Sequence, residues 1–263
     1  MQGALPAEFD AAIAHARPRL GAFAERILWY PTVGSTNDVA AALAERGALE
    51  GTVVAADAQS AGRGRHGRTW ASPPGAGLYV STVFRPAPDV APLLTLAAGV
   101  ALAEGIQAAS GLELALKWPN DVYVGPRKLA GILAEAGASV QGDQHVILGF
   151  GINVMPAALP PGIASRATSL EGELGRPVDR ALLFASCLAA LAGRYADLQE
   201  GRTPAVLDEW RRRAAAKLGR GVEWDADGFT SRGVAQNIDE TGALLVKTES
   251  GVVRVISGEV RWT

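Results

Sequence analysis

The chain of 263 residues is poor in the side chains that build cross-links and metal centres: it has one cysteine, Cys187, and three histidines, His15, His66 and His145. A lone thiol excludes an internal disulfide and a cysteine zinc site, and it suits a reducing compartment, so a cytoplasmic location is expected. The histidines are far apart with no ligand spacing, which argues against a histidine-built metal site. Charge of one sign is also lacking, since 25 basic and 27 acidic residues leave a formal net charge of −2. Broad binding to a phosphate backbone needs a basic footprint that this balance does not supply. The longest apolar runs, 93–103 and 181–192, fall short of the roughly 20 residues of a membrane-spanning helix. Glu8, Asp10, His15, Arg17 and Arg19 interrupt any apolar core of a signal peptide. Neither membrane association nor export is expected.

What is present suits a packed globular protein: 48% of residues are hydrophobic and 20% charged. At this length a large domain plus a small one is expected, because single cores stop growing near roughly 250 residues. Residues 1–28 hold Phe9, Ile13, Leu20, Phe23 and Ile27 at helix-like spacing, with an interruption expected at Pro18. Ser35-Thr36-Asn37-Asp38 offers N-caps for a helix ending near Arg46 and closed by Gly47. Residues 52–56 and 78–84 read as strands on either side of a Gly/Arg-rich loop, and 93–109 as a helix. Four short strand candidates follow at 113–117, 122–124, 129–136 and 145–154. Asp179 caps a long helix with Leu183, Cys187, Leu191, Tyr195 and Leu198 on one stripe, and Thr203-Pro204 opens another. From about Lys217 the pattern changes to short β runs at 222–224, 233–238, 243–246 and 252–256, parted by turns such as Asp225 to Gly228 and Asp239 to Gly242. Closely spaced strands with such turns suggest a small barrel. The expected organisation is a helical extension over 1–28, a catalytic-size domain over 29–216 and a barrel over 217–263.

The most informative segment runs from Gln59 to Trp70. Gly62, Gly64 and Gly67 satisfy the G-x-G-x-x-G spacing of dinucleotide sites, but no helix can follow through Thr69 to Gly77, so that reading fails. No Gly-Lys pair exists to make a Walker A loop. What remains is a loop whose glycines let the backbone approach a ligand and whose arginines can fork onto phosphate oxygens. Fixing about nine residues costs on the order of 10 kcal/mol, against about 1.5–3 kcal/mol from each charge-assisted hydrogen bond. The loop is therefore expected to order over an anionic ligand.

Lys117-Trp118-Pro119-Asn120-Asp121 ends one strand and places a cation, an amide and a carboxylate together. Lys128 follows on strand positions shared with Ala130, Ile132, Ala134 and Ala136, where its ammonium is expensive to bury without an anion. Gly149 and Gly151, next to Asn153, mark either close approach of a ligand or a bulge.

These segments together resemble the biotin–protein ligases. The likeness runs in order through Gly34 to Asn37, Gln59, Gly62 to Trp70, Lys117 to Asp121, Lys128 to Gly131, Gly149 to Val154 and Thr168 to Leu170, then through Gly233 to Ile238, Gly242 to Val246 and Ser257 to Val260. It implies an α+β fold: a mixed, mostly antiparallel sheet with helices on one face, a class II synthetase-like catalytic domain, and a C-terminal SH3-like barrel. It also implies ATP-dependent attachment of biotin to a lysine of a biotin carboxyl carrier domain, through biotinyl-5′-AMP, with ATP, Mg2+ and biotin bound. By the same resemblance Lys128, Arg63 and Arg65 are the catalytic candidates, with Lys128 bridging the biotin carboxylate and the α-phosphate. Ser35, Thr36, Asn37, Gln59, Gly64 and Gly131 join them around biotin. Trp70, Lys117, Asn120 and Asn153 join Arg63 and Arg65 around the nucleotide, and Asp121 is the metal candidate. His66 departs from the pattern, replacing a further arginine of many relatives.

Some members of that family carry an N-terminal DNA-binding domain of about 60 residues. Only about 28 residues precede the resemblance here, so sequence-specific DNA binding is not expected, and Arg211-Arg212-Arg213 reads as a solvated helix surface. The nearest rival is a lipoate–protein ligase, and a non-catalytic biotin binder is a second. A homodimer through an exposed sheet edge stays open. On an apolar stripe, Cys187 is expected to be buried and inert.

Overall fold

The computed structural model describes residues 1–263 except 227, 228 and 257. The turn expected at Asp225 to Gly228 and Ser257 of the C-terminal pattern therefore fall partly outside the described residues. In chain order the elements are α1 (Ala7–Leu20), β1 (Ile27–Val33), α2 (Thr36–Glu45), β2 (Val53–Gln59), β3 (Gly77–Phe84), α3 (Leu94–Ser110), β4 (Ala115–Lys117), β5 (Asp121–Val124), β6 (Arg127–Ala138) and β7 (Gln144–Asn153). After these come α4 (Leu170–Leu174), α5 (Arg180–Gln199), α6 (Thr203–Ala214), β8 (Gly221–Ala226), β9 (Phe229–Ile238), β10 (Leu244–Thr248), β11 (Gly251–Val255) and β12 (Val260–Trp262).

The first seven strands form one sheet in the order β1-β2-β3-β7-β6-β5-β4. Only β1 and β2 run parallel, joined by the α2 crossover, and every other pair is antiparallel. The last five strands form an antiparallel sheet in the order β11-β10-β9-β8-β12. The α+β class with a mixed, mostly antiparallel sheet is thus observed.

Side-chain alternation divides the large sheet into two unlike faces. Leu78, Val80 and Phe84 of β3, Leu148, Phe150 and Ile152 of β7, and Ala130 and Ile132 of β6 point into a core shared with α1, α3, α5 and α6. The opposite face carries a small cluster in which Ala40 and Ala44 of α2 cover Val54, Val83 and Ile147. Helices therefore lie on both faces, not on one as the sequence suggests. Because α2 is only ten residues long, it covers part of its face and leaves the rest free for a cavity.

Three other expectations change. α1 continues through Pro18 to Leu20, since a proline near a helix end removes only one hydrogen bond. It belongs to the main core, with the Phe9 ring 4.9 Å from Trp29 and 5.5 Å from Phe184. The apolar segments around α3 and α5 form helical stretches of 20 residues each, long and apolar enough to span a bilayer, yet 72% and 61% buried within the protein. Arg213 is buried rather than solvated: it pairs with Glu209 and donates to Gln107 of α3, while Arg211 and Arg212 pair with Asp208 and Glu209 at the surface. The Asp179 cap is made as expected, accepting from the N–H groups of Ala181 and Leu182. Cys187 is buried, which pushes its thiol pKa up.

The outer edge of the large sheet is protected. Gly3 pairs with Trp29, and Pro31 interrupts β1 as a donor. The small sheet docks beside the N-terminal end of α3, where Trp118 Nε1 donates to the carbonyl of Gly242 at 2.9 Å.

Candidate functional site

On the α2 side of the large sheet lies a cavity of about 730 Å³, large enough for a small-molecule substrate pair. All fourteen candidate residues named from the sequence line it. Its floor is made by the β6–β7 pair, where Leu133 faces Gly149 and Gly131 faces Gly151 in unbroken register. These glycines are not bulges. A methyl group on Gly149 would run into the Asn37 amide, and one on Gly151 into the Trp70 indole.

At one end of the floor, the entry to α2, with Ser35 in extended backbone, buries Ser35, Thr36 and Asn37. Ser35 takes the N-cap position but makes no capping bond, so these polar side chains serve the cavity rather than the helix. Gln59 Oε1 accepts from the Thr36 backbone N–H at 2.8 Å and from its hydroxyl at 3.1 Å, and Nε2 donates to Ser72 Oγ at 2.9 Å. Ser81 Oγ lies 2.8 Å from Thr36 Oγ1 and 2.6 Å from Asn37 Oδ1. Asn37 Nδ2 donates to Glu135 Oε2 at 2.6 Å.

The Gly/Arg loop is a tight hairpin: Arg63 pairs with Thr69, and Gly64 N–H donates to the Arg68 carbonyl at 2.7 Å. At its tip His66 takes φ 56°, a left-handed conformation that a non-glycine residue adopts at a cost of about 1 kcal/mol. The arginines fan in different directions. Arg63 is clamped by Asp38 at 2.5 Å and Glu135 at 2.9 Å. Arg65 reaches across the cavity, donating to Asn120 Oδ1 at 3.3 Å and to the Gly258 carbonyl at 2.9 Å. Arg68 pairs with Glu259. Burial lowers the Arg65 pKa, opposed by Asp121 and Glu259.

Lys128 stands at the centre, 2.5 Å from Asp121 and 5.3 Å from the Trp70 ring. Its placement corrects the sequence reading. A β-bulge shifts the register so that Tyr123 pairs with Lys128 while Val122 pairs with Ala130. The extra residue, Leu129, turns into the core, and Lys128 moves onto the cavity face with Gly131 instead of the Ala130 and Ile132 face. The bulge thus spares the ammonium from burial in the core. Ala134 and Ala136 are exposed rather than buried.

Lys117 and Lys217 lie 5.4 and 4.8 Å from the ring centroid of Tyr123. Burial lowers the Lys117 pKa most, Asp121 opposes it, and Lys217, Lys128 and Arg68 lower it further. Burial also pushes the Tyr123 phenol up to about 12. Asn120 Nδ2 donates to the Ile132 carbonyl at 2.6 Å while its Oδ1 accepts from Arg65, and Asn153 Nδ2 donates to the Thr168 carbonyl at 3.0 Å.

Several lining residues carry no role in the sequence reading: Arg166, Glu259, Arg261 and Trp262, together with Ser72 and Glu135 behind the wall. β12 is too short to be read as a strand. The likeness over Ser257 to Val260 carries no indication that this end of the chain lines the cavity. Among the described residues no cluster of three or more His, Cys, Asp or Glu could hold a metal by itself. The Asp121 carboxylate, with the Asn120 and Asn153 amides, suits Mg2+ carried on nucleotide phosphates, since Mg2+ commonly takes only one or two protein carboxylates.

Residues 29–153 match the model of the biotin/lipoate A/B protein ligase family, and residues 217–261 match the biotin protein ligase C-terminal domain. The bifunctional ligase/repressor BirA of Bacillus subtilis is 37% identical over 245 residues, covering 90% of this chain and 74% of that protein. The biotin–[acetyl-CoA-carboxylase] ligase of Paracoccus denitrificans is 36% identical over 236 residues, covering 86% of this chain and 96% of that one. The structure of biotin protein ligase from Aquifex aeolicus in complex with biotin and ATP superposes with a TM-score of 0.79 at 30% identity, covering 91% of this chain and 99% of that chain. On its sequence, its two-sheet architecture and its cavity, the chain belongs to the biotin protein ligases of the biotin/lipoate A/B protein ligase family.

Proposed function

We propose that this protein attaches biotin to a lysine of a biotin carboxyl carrier domain in two steps. First the biotin carboxylate attacks the α-phosphate of ATP, giving biotinyl-5′-AMP and pyrophosphate. The carrier lysine then attacks the acyl carbon and releases AMP. The observation that carries this reading is the position of Lys128 at the middle of the cavity. An end rich in neutral hydrogen-bonding groups lies on one side of it, and an end rich in Lys and Arg on the other.

Each residue answers a physical demand. Ser35, Thr36, Asn37 and Gln59 supply the donors and acceptors that a urea ring needs once it leaves water. Gly64 and Gly131 let the ligand lie against the backbone. Two anions must then meet, and a cation between them offsets their repulsion and holds them in line. Lys128 exchanges Asp121 for the biotin carboxylate and the α-phosphate, so its charge is used where it is needed. Arg65, Lys117, Asn120 and Asn153 serve the nucleotide, and Trp70 forms the wall against which the reacting groups sit. Arg65 and the hairpin cover the mixed anhydride and exclude water. Asp121 would hold a Mg2+ carried on ATP, which would supply neutralising charge for the phosphates. Arg63 anchors the hairpin stem, since its guanidinium is held by Asp38 and Glu135.

We read 29–216 as the catalytic domain and 217–263 as an SH3-like barrel, with 1–28 as a helical extension packed on the former. The reaction belongs in the cytoplasm, with the carrier domain as partner and no role for specific DNA. The decisive measurement is mass spectrometry of an apo carrier domain after incubation with this protein, MgATP and biotin. A single biotinyl addition is expected. No addition refutes the assignment, and equal transfer of lipoate refutes its specificity.

A further inference from the structure

Of the 25 basic residues only four are lysine, Lys117, Lys128, Lys217 and Lys247, the rest being arginine. Three of the four meet at Tyr123. Lys128 is its register partner on β6, Lys117 Nζ lies 5.4 Å from its ring centroid, and Lys217 Nζ lies 4.8 Å from it. Lys117 and Tyr123 line the cavity. Lys217 reaches the same ring from the joint between α6 and β8, where its backbone N–H donates to the Ala214 carbonyl at 2.8 Å. The other cations nearby are held: Lys128 by Asp121, Arg65 by Asn120 and the Gly258 carbonyl, and Arg68 by Glu259. Among the described residues neither Lys117 nor Lys217 makes an ion pair, and Lys117 has only the Tyr123 hydroxyl at 3.5 Å. Lys217, Lys128 and Arg68 all act on Lys117 as like charges, with Asp121 as the one opposing charge. A tyrosine ring is neutral at working pH and attracts an ammonium less than a carboxylate does. Docking the C-terminal segment would be served better by one acidic side chain in place of the ring. Two unpaired ammonium groups on one ring repel each other until an anion joins them.

We infer that Lys217 is a further nucleotide-binding residue, which forms with Lys117 a two-lysine clamp for the linked β- and γ-phosphates of ATP and for the pyrophosphate they become. This rests on the proposed reading of that end of the cavity as the nucleotide site. An ammonium suits the task because its three donors rotate and can follow a phosphate from substrate to leaving group, whereas a guanidinium fork fixes one geometry. Since Lys217 belongs to the joint that leads into the small sheet, phosphate held there also ties the C-terminal part of the chain to the nucleotide.

Lys217→Met keeps an apolar stem over Tyr123 and removes the charge, while Lys217→Arg keeps a charge. Isothermal titration calorimetry without biotin reads the affinity for MgATP and for magnesium pyrophosphate separately. In Lys217→Met both Kd values are expected to rise about tenfold, the effect of losing one charge-assisted contact. The biotin Kd should stay within twofold of wild type and the melting temperature unchanged, and Lys217→Arg should recover most of both anion affinities. Anion Kd values within twofold of wild type in the methionine variant overturn the proposal. A loss for MgATP alone overturns it too, because the charge then acts away from the β- and γ-phosphates. So does a parallel fall in biotin affinity and melting temperature, or an arginine variant as weak as the methionine one, since either marks a packing role. A wild-type protein that binds both anions but forms no biotinyl-5′-AMP refutes the proposed reaction and leaves this phosphate site standing. One that binds neither anion refutes the nucleotide site and this inference with it.

Discussion

Asp121 holds the ammonium of Lys128 in the absence of substrates, and the exchange of that partner for two substrate anions sets the size of the expected effect. Both side chains retain some exposure, 29% and 19%, so the pair adds little to stability. Lys128→Ala should therefore fold normally while biotin-dependent pyrophosphate release falls by about 10²–10³, the usual loss when one electrostatic contact to a transition state is removed. An unchanged rate would refute the role. Lys117 allows a second test at this scale. Burial holds its pKa below that of a free lysine, so part of the population is neutral in the alkaline range just under that value. A phosphate placed beside it favours the charged form and draws a proton in. ATP binding in that range should take up protons, seen as a dependence of the calorimetric heat on the ionisation enthalpy of the buffer. Lys117→Met should abolish that dependence, and its persistence in the variant would assign the proton elsewhere.

At the scale of elements, the glycines of β6 and β7 explain what the chain does and does not reveal before folding. The apolar run of β7 marks it as a strand, and it is buried along nearly its whole length, while Gly149 and Gly151 mark either close approach or a bulge. What approaches includes Asn37 and Trp70 of the chain itself, which only the assembled sheet makes apparent. The face that Lys128 takes is hidden for the opposite reason. A bulge is a property of the pairing between β5 and β6, and no periodicity within β6 alone reports it. β12 cannot be read from the sequence, because three residues carry no pattern, although it brings Arg261 and Trp262 to the cavity. Gly149→Ala tests the close approach directly. Its methyl would displace the Asn37 amide, so biotin affinity should fall at least tenfold, with a stability loss of about 1–3 kcal/mol from overpacking. A variant binding biotin as well as wild type would show that Asn37 can move without consequence.

At the scale of the whole molecule, the Gly/Arg hairpin spans a boundary. Its stem is fixed to α2 and β6 through Arg63, and its tip is fixed to the C-terminal segment through Arg65 on the Gly258 carbonyl and Arg68 on Glu259. Arg65 is the side chain that crosses the cavity, touching Asn120 on the way. Removing it should leave biotin recognition and Lys128 intact but open the cover over the adenylate. Arg65→Gly should still form biotinyl-5′-AMP and then lose it to solution, where the mixed anhydride acylates any exposed amine. Adding serum albumin as a bystander makes this measurable: streptavidin blotting should show albumin labelled at least tenfold more strongly than with wild type, and the excess should disappear when ATP is omitted. Labelling equal to wild type would show that the hairpin does not retain the intermediate, and that its bridge between the two sheets serves assembly alone.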